Sequence, residues 1–197
     1  MSLLRAFIAV DISPEFQQAI RQTISSLQIE IESLVRWVPA ENMHLTLKFL
    51  GDISPANVDI LSQMIRAEAD SYSSFDMRLN GLASFPNLKR PRVIYIGIQA
   101  AAGLDALQRG VESAARKLGY ESDANSGRPF SPHLTIGRVR QDASASDQQK
   151  IRRLIEGTKI DSPGTARVDS VHLYKSDLKP TGSVYTRLFS APLKKTQ

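Results

Sequence analysis

The sequence predicts an α+β protein of two pseudo-symmetric lobes packed as one unit, and three observations lead there. Strand-like and helix-like segments alternate along the chain, with no low-complexity linker between its halves. The segment His44-Leu45-Thr46-Leu47-Lys48 returns as His133-Leu134-Thr135-Ile136-Gly137, so each half carries a similar strand. Hydrophobic residues make up 42% of the 197 positions, enough for a sizeable core and too many for a disordered chain. Residues 1–197 are therefore read as a single bilobal domain.

Arg5 to Ile12 reads as the first strand. Ser13-Pro14 follows as an N-cap with proline at the first helical position, and Phe16, Ile20, Ile24, Leu27 and Ile31 then recur at helical spacing. Leu34 to Val38 is a short extended piece ending at Pro39. Met43 to Leu50 is the first motif strand, closed by Gly51-Asp52, and Ser54-Pro55 opens a second helix through about Ala69. Phe75 to Phe85 is a strand in which Asn80-Gly81 predicts a bulge or break. Pro86 to Pro91 is a loop, and Val93 to Ile98 a β-branched, buried strand. Leu104 to Leu118 forms a third helix with Gly119 beyond its C-cap. A polar loop, Glu121 to Pro132, feeds the second motif strand, His133 to Val139. Ser146 to Ile155 is the fourth helix. Arg167 to Tyr174 and Val184 to Phe189 close the chain as a strand pair, joined by a hinge over Lys175 to Ser183.

Composition narrows the chemistry. The chain has no cysteine, which excludes disulfides, thiolate catalysis and cysteine-ligated zinc, and fits a cytoplasmic location. The opening MSLLRAFIAVDIS is interrupted by Arg5 and meets Asp11 without a small-residue cleavage pattern, so it reads as a strand rather than a signal peptide. No window approaches the ~18 apolar residues of a membrane span. Lysine and arginine number 25 against 20 acids, and this mild excess favours polyanions such as RNA or nucleotides.

Two of the three histidines lie in the repeat. On a strand, histidine and the threonine two residues on project to one face and the intervening aliphatics to the other. Two such strands side by side would bring two imidazoles and two hydroxyls into one groove. That set suits a phosphodiester: one histidine as general base, the other as general acid, and hydroxyls for the oxygens that do not react. His172, in Val171-His172-Leu173-Tyr174, lacks the threonine and reads as structural. Neither motif offers a third zinc ligand at a matching offset, and there is no His-Glu-x-x-His run, so no metal is expected. Gly-x-Ser-x-Gly, Walker and Gly-x-Gly-x-x-Gly patterns are absent as well, and no cofactor is implied.

His44-Leu45-Thr46-Leu47-Lys48-Phe49-Leu50-Gly51, together with Ser131-Pro132-His133-Leu134-Thr135-Ile136-Gly137-Arg138, resembles the 2H phosphoesterase superfamily. More closely, the chain looks like the bacterial and archaeal RNA 2′,3′-cyclic phosphodiesterases, also called 2′-5′ RNA ligases. Arg5-Ala6-Phe7-Ile8-Ala9-Val10 matches the opening strand of that family and Trp37-Val38-Pro39 its lead into the first motif. Leu173-Tyr174-Lys175-Ser176 and Tyr185 match its closing strands. The resemblance implies two lobes whose antiparallel sheets flank a central groove, with helices on the outside. It also implies a metal-independent hydrolase acting on RNA that ends in a 2′,3′-cyclic phosphate.

In that reading His133 activates water and His44 protonates the ribose O3′, leaving a 2′-phosphate. The reverse reaction, with a 5′-hydroxyl in place of water, makes a 2′-5′ linkage. Thr46 and Thr135 would donate to the non-bridging phosphate oxygens. Arg138 occupies the position of the family's phosphate-binding arginine. Its parity on a regular strand is opposite to that of His133, so it has to reach the groove from a strand end or a bulge. Phe49, at the same offset in the first motif, is a candidate to stack on a base or to enter the core. Lys48 shares the parity of His44 and would meet phosphate or solvent. Arg128 and Phe130 are placed to line the RNA path before the second motif. The implied partner is RNA or an oligonucleotide with a cyclic phosphate terminus; no membrane and no obligate protein partner is implied, and the chain is expected to be monomeric. Two other readings remain: a 2H enzyme for 2′-5′ oligonucleotides or small cyclic nucleotides, and an RNA-binding module without catalysis.

Overall fold

A computed structural model describes residues 2–100, 102–121, 130–160, 164–179 and 182–195. The chain begins with β1 (Leu4–Asp11) and α1 (Pro14–Ile31). The Ser13 hydroxyl accepts from the Phe16 amide at 3.3 Å, Pro14 opens the helix, and Phe16, Ile20, Ile24, Leu27 and Ile31 form its buried stripe. Next come β2 (Val35–Trp37) and the motif strand β3 (His44–Ile53). Ser54 caps a 3-10 turn over Pro55–Asn57, and α2 (Val58–Ala69) starts only after it. β4 (Phe75–Phe85) and β5 (Val93–Ala100) form an antiparallel pair in which Gly81, at φ +58°, is the extra residue between Asn80 and Leu82. α3 (Ala102–Lys117) precedes the second motif strand, β6 (His133–Val139). α4 (Ala145–Gly157) opens on a reciprocal Ser144–Asp147 capping box, and β7 (Ala166–Val168), β8 (Ser170–Lys179) and β9 (Gly182–Pro192) complete the chain.

The strands make two antiparallel sheets, in the orders β3-β1-β8-β9 and β2-β6-β5-β4-β7. In each, the motif strand pairs with the strand that precedes the long helix before it: β3 with β1, β6 with β5. The lobes are nevertheless not the two sequence halves. β2 crosses over to pair with β6, and the C-terminal β8 and β9 complete the sheet begun by β1. Helices cross over too: α2 packs on β8 and β9 and α3 on β3, while α4 packs on β4 and against α1. No described helix is long and apolar enough to cross a membrane.

Three sequence expectations are corrected. β3 runs through Gly51-Asp52 to Ile53 instead of closing there, because Gly51 adopts φ +69° within the strand. The expected strand Arg167 to Tyr174 is divided between the sheets, β7 pairing with β4 and β8 with β1. The expected hinge from Lys175 to Ser183 is mostly hairpin, since the ladder continues from Lys175↔Thr186 to Lys179↔Gly182. Its polar residues hide a strand whose backbone pairing carries it beyond the buried part.

α3 is fastened to β3 by an ion pair. The Lys48 side chain is 4% exposed and its Nζ donates to Glu112 Oε1 at 3.0 Å and to the Glu121 carbonyl at 3.1 Å. Removing one partner of a buried pair strands the other, whereas replacing the lysine by an apolar residue of similar length removes the desolvation cost as well. Glu112→Ala is therefore expected to lower stability by about 3 kcal/mol and Lys48→Met by under ~1 kcal/mol. Urea unfolding of the two variants checks this, and equal losses would contradict it.

Candidate active site

A bulge just past the threonine of each motif determines which later side chains share the face of the histidine. In β3, Thr46 pairs with Ala9 and Lys48 with Ile8, so Leu47 is bulged out of register. In β6, Thr135 pairs with Tyr95 and Gly137 with Ile94, so Ile136 is bulged. Both bulges fall at the third residue after the histidine, and both freed carbonyls are held: Gln108 Nε2 donates to Leu47 O at 3.4 Å and the Val38 amide to Ile136 O at 2.9 Å.

A bulge inverts the alternation beyond it. Before it, His44 and Thr46, or His133 and Thr135, lie half-buried on one face. After it, Lys48 and Gly137 turn inward while Phe49 and Arg138 come to the histidine face, Phe49 58% exposed. Arg138 thus comes to the histidine face by a bulge, one of the two routes its parity left open. Lys48 does not share the face of His44 as expected; it is buried against α3 and offers no charge to the groove. A Cβ at position 137 would lie 2.6 Å from Val35 Cγ1 and 3.2 Å from the Trp37 ring, so the inward residue of β6 is a glycine where β2 packs. Phe130 is partly buried against the core, and Arg128 lies outside the described residues.

The two histidines are anchored alike. His44 Nδ1 lies 3.0 Å from the Asn42 carbonyl, and His133 Nδ1 2.7 Å from the Ser131 carbonyl. A carbonyl only accepts, so each Nδ1 carries the proton and each Nε2 is left for the groove. Aromatic rings fix both imidazole planes. Phe7 stacks on His44 at 4.5 Å and Tyr185 meets it edge-on at 4.9 Å; Phe85 and Tyr95 meet His133 at 4.9 and 5.1 Å. The hydroxyls of Thr46 and Thr135 have no hydrogen-bond partner among the described residues. β3 and β6, one from each sheet, approach one another.

Burial bears on the charge of His44. Burial pushes His44 down to about 4, against the opposing pull of the Asn42 carbonyl and the Asp11 carboxylate. Asp11 is the cross-strand partner of His44 and the centre of a polar cluster that the sequence reading missed. It accepts from Tyr174 Oη at 2.6 Å and from Arg187, and His172 Nε2 lies 3.5 Å away. Burial and the bond to Asp11 push the Tyr174 hydroxyl up to about 12. His172 is 3% exposed and sits among the groups that hold Asp11, as a structural residue would. A pocket of about 360 Å³ beside His44 is lined by Asp11, Asn42, Tyr174, Tyr185 and Arg187. These residues lie far apart in sequence, and among them only Tyr174 and Tyr185 belong to the segments that carry the family resemblance. Among the described residues, no group of three or more His, Cys, Asp or Glu side chains could hold a metal ion.

Comparison with known proteins adds a family. The 2′-5′ RNA ligase superfamily matches residues 16–180. An RNA 2′,3′-cyclic phosphodiesterase of Methanothermobacter thermautotrophicus is 31% identical over 186 residues, covering 93% of this chain and 95% of that one. One of Thermotoga maritima is 30% identical over 187 residues, with 94% of each chain covered. Among solved structures, TT0787 of Thermus thermophilus superposes with a TM-score of 0.76 at 25% identity, covering 98% of this chain and 100% of that one. E. coli LigT complexed with 3′-AMP superposes with a TM-score of 0.70 at 27% identity, over 98% of this chain and 99% of that one.

The low value for His44 has a thermodynamic consequence. An unfolded histidine titrates near ~6.5. Between that value and about 4 the unfolded chain binds a proton that folded His44 refuses. Stability from this residue is therefore complete above ~6.5 and is lost as the pH falls towards 4, with a slope of at most ~1.4 kcal/mol per pH unit. Urea unfolding between those limits should show a shallower pH dependence for His44→Gln than for the wild type; identical slopes would contradict the burial argument.

Proposed function

Because the chain belongs to the 2′-5′ RNA ligase superfamily, we propose that it hydrolyses RNA 2′,3′-cyclic phosphate ends to 2′-phosphates, with His44 and His133 as a metal-independent acid–base pair. The observation behind this reading is the matched pair of imidazoles, each with Nδ1 tied to a carbonyl and Nε2 free, on strands that both bulge three residues after the histidine. The names of the relatives support the substrate, and a net charge of +5 suits an RNA chain.

His133 Nε2 takes a proton from water as the water oxygen bonds to phosphorus. The P–O3′ bond breaks, and His44 Nε2–H gives its proton to O3′. One proton leaves His44 and one arrives at His133, and solvent exchange restores both. The free hydroxyls of Thr46 and Thr135 and the Arg138 guanidinium serve the non-bridging oxygens, where negative charge grows. Phe49 offers an exposed ring on the same face for a base. A 5′-hydroxyl replacing water gives a 2′-5′ linkage by the same proton transfers. Both histidines and both threonines come from one chain, which supports a monomer, and a sequence without cysteine fits action on RNA in the cytoplasm.

The acid role requires a charged His44, whereas burial disfavours the charged form. A phosphodiester anion against it favours the charged form, so protonation accompanies substrate binding. The same burial favours the opposite assignment, with His44 as base, and an altered leaving group separates the two. Sulfur in place of O3′ leaves without being protonated, so His44→Ala should regain turnover on that substrate while His133→Ala does not. The reverse pattern would make His44 the base.

The proposal as a whole is tested on a short RNA ending in a 2′,3′-cyclic phosphate. Wild type should release a 2′-phosphate end in the presence of EDTA, and His44→Ala and His133→Ala should each lose about 10²–10⁴ in rate. Loss of activity on chelation, or a variant that keeps its rate, would overturn the two-histidine mechanism.

A further inference from the structure

Nothing in the local sequence marks Arg36, yet the register places it opposite Arg138. It is the middle residue of β2, and its cross-strand partner in β6 is Arg138. Directly opposed residues on antiparallel strands project to the same side of the sheet. The flanking pair, Val35 and Val139, is buried on the other side. Arg36 therefore joins Arg138, His133 and Thr135 on the face that carries the proposed chemistry, and both arginines are exposed.

Neither guanidinium has a hydrogen-bond or ion-pair partner among the described residues. Like charges directly opposite one another destabilise a sheet. Two unpaired guanidiniums held side by side instead fit a place where anions arrive, since the planar fork matches the oxygens of a phosphate. Arg36 also leans towards the other sheet: its Nη2 lies 3.6 Å from where a Cβ on Gly182, at the start of β9, would sit. A cavity of about 670 Å³ opens beside the pair. Its third arginine, Arg140, is already engaged by Asp142 at 3.7 Å.

We propose that Arg36 binds the phosphate joining the terminal nucleotide to the one before it, while Arg138 serves the reacting cyclic phosphate. Two guanidiniums on adjacent strands match two phosphates one nucleotide apart. The inference rests on the phosphodiesterase reading and deepens it: Arg36 makes the protein select an RNA end over a free cyclic mononucleotide, which lacks the second phosphate.

The test compares kcat/KM for a dinucleotide and for a mononucleotide, each ending in a 2′,3′-cyclic phosphate. In Arg36→Ala the dinucleotide-to-mononucleotide ratio should fall about tenfold, and the salt dependence of the dinucleotide reaction should weaken by roughly one phosphate contact. Arg36→Lys, which keeps the charge, should recover the salt dependence. A ratio unmoved by Arg36→Ala, or both substrates losing equally, would overturn this inference alone. A wild type that hydrolyses neither substrate would overturn the phosphodiesterase reading, and this inference with it.

Discussion

A bulge at the third residue after each motif histidine governs the site. Without the bulges at Leu47 and Ile136, strict alternation would send Arg138 and Phe49 into the core and bring Lys48 and Gly137 to the groove. Each bulge exposes a carbonyl that would be costly to leave unpaired, and in each case an element from outside the local ladder takes it up. Gln108 of α3 does this for Leu47, and Val38, just past β2, for Ile136. Both bulge-holding elements are thus brought in by the crossed packing that sets α3 on β3 and β2 beside β6. The exchange of elements between lobes and the shape of the groove are one constraint.

Anchored by that backbone, the two imidazoles share a hydrogen-bonding pattern but not an environment. Each gives its Nδ1 proton to the carbonyl two residues upstream, which fixes the same tautomer twice. His44 is then pressed between Phe7 and Tyr185 and loses solvation, with Asp11 as its nearest compensating charge. That carboxylate is itself spoken for by Arg187 and Tyr174, so it moderates the cost of a charged His44 without cancelling it. The asymmetry suits the proposed acid–base pair, whose two members would carry opposite protonation states.

Much of this was legible in the sequence where the signal is local. The bounds of β6, the Ser13-Pro14 cap and the stripe of α1 follow from alternation, capping and helical spacing, and the mismatch of parity at Arg138 already demanded a bulge or a strand end. Lys48 shows what was hidden. A bulge leaves no mark in a short window of sequence, so the inward turn of Lys48 needed the register against β1. Asp11, Arg187 and Arg36 were invisible for the same reason, because their meaning lies in cross-strand partners far away in the chain. The outer part of the closing hairpin was missed because it is polar and paired through the backbone.

The central claim is that both motifs close on one phosphate, and imidazole ¹⁵N NMR during titration with a nucleoside 2′-phosphate, the proposed product, tests it most directly. The geometry predicts that His44 and His133 both start with the proton on Nδ1, and that both sets of signals move along a single binding curve. Signals that move in one histidine only, or that follow two different affinities, would show that the two motifs do not share a site.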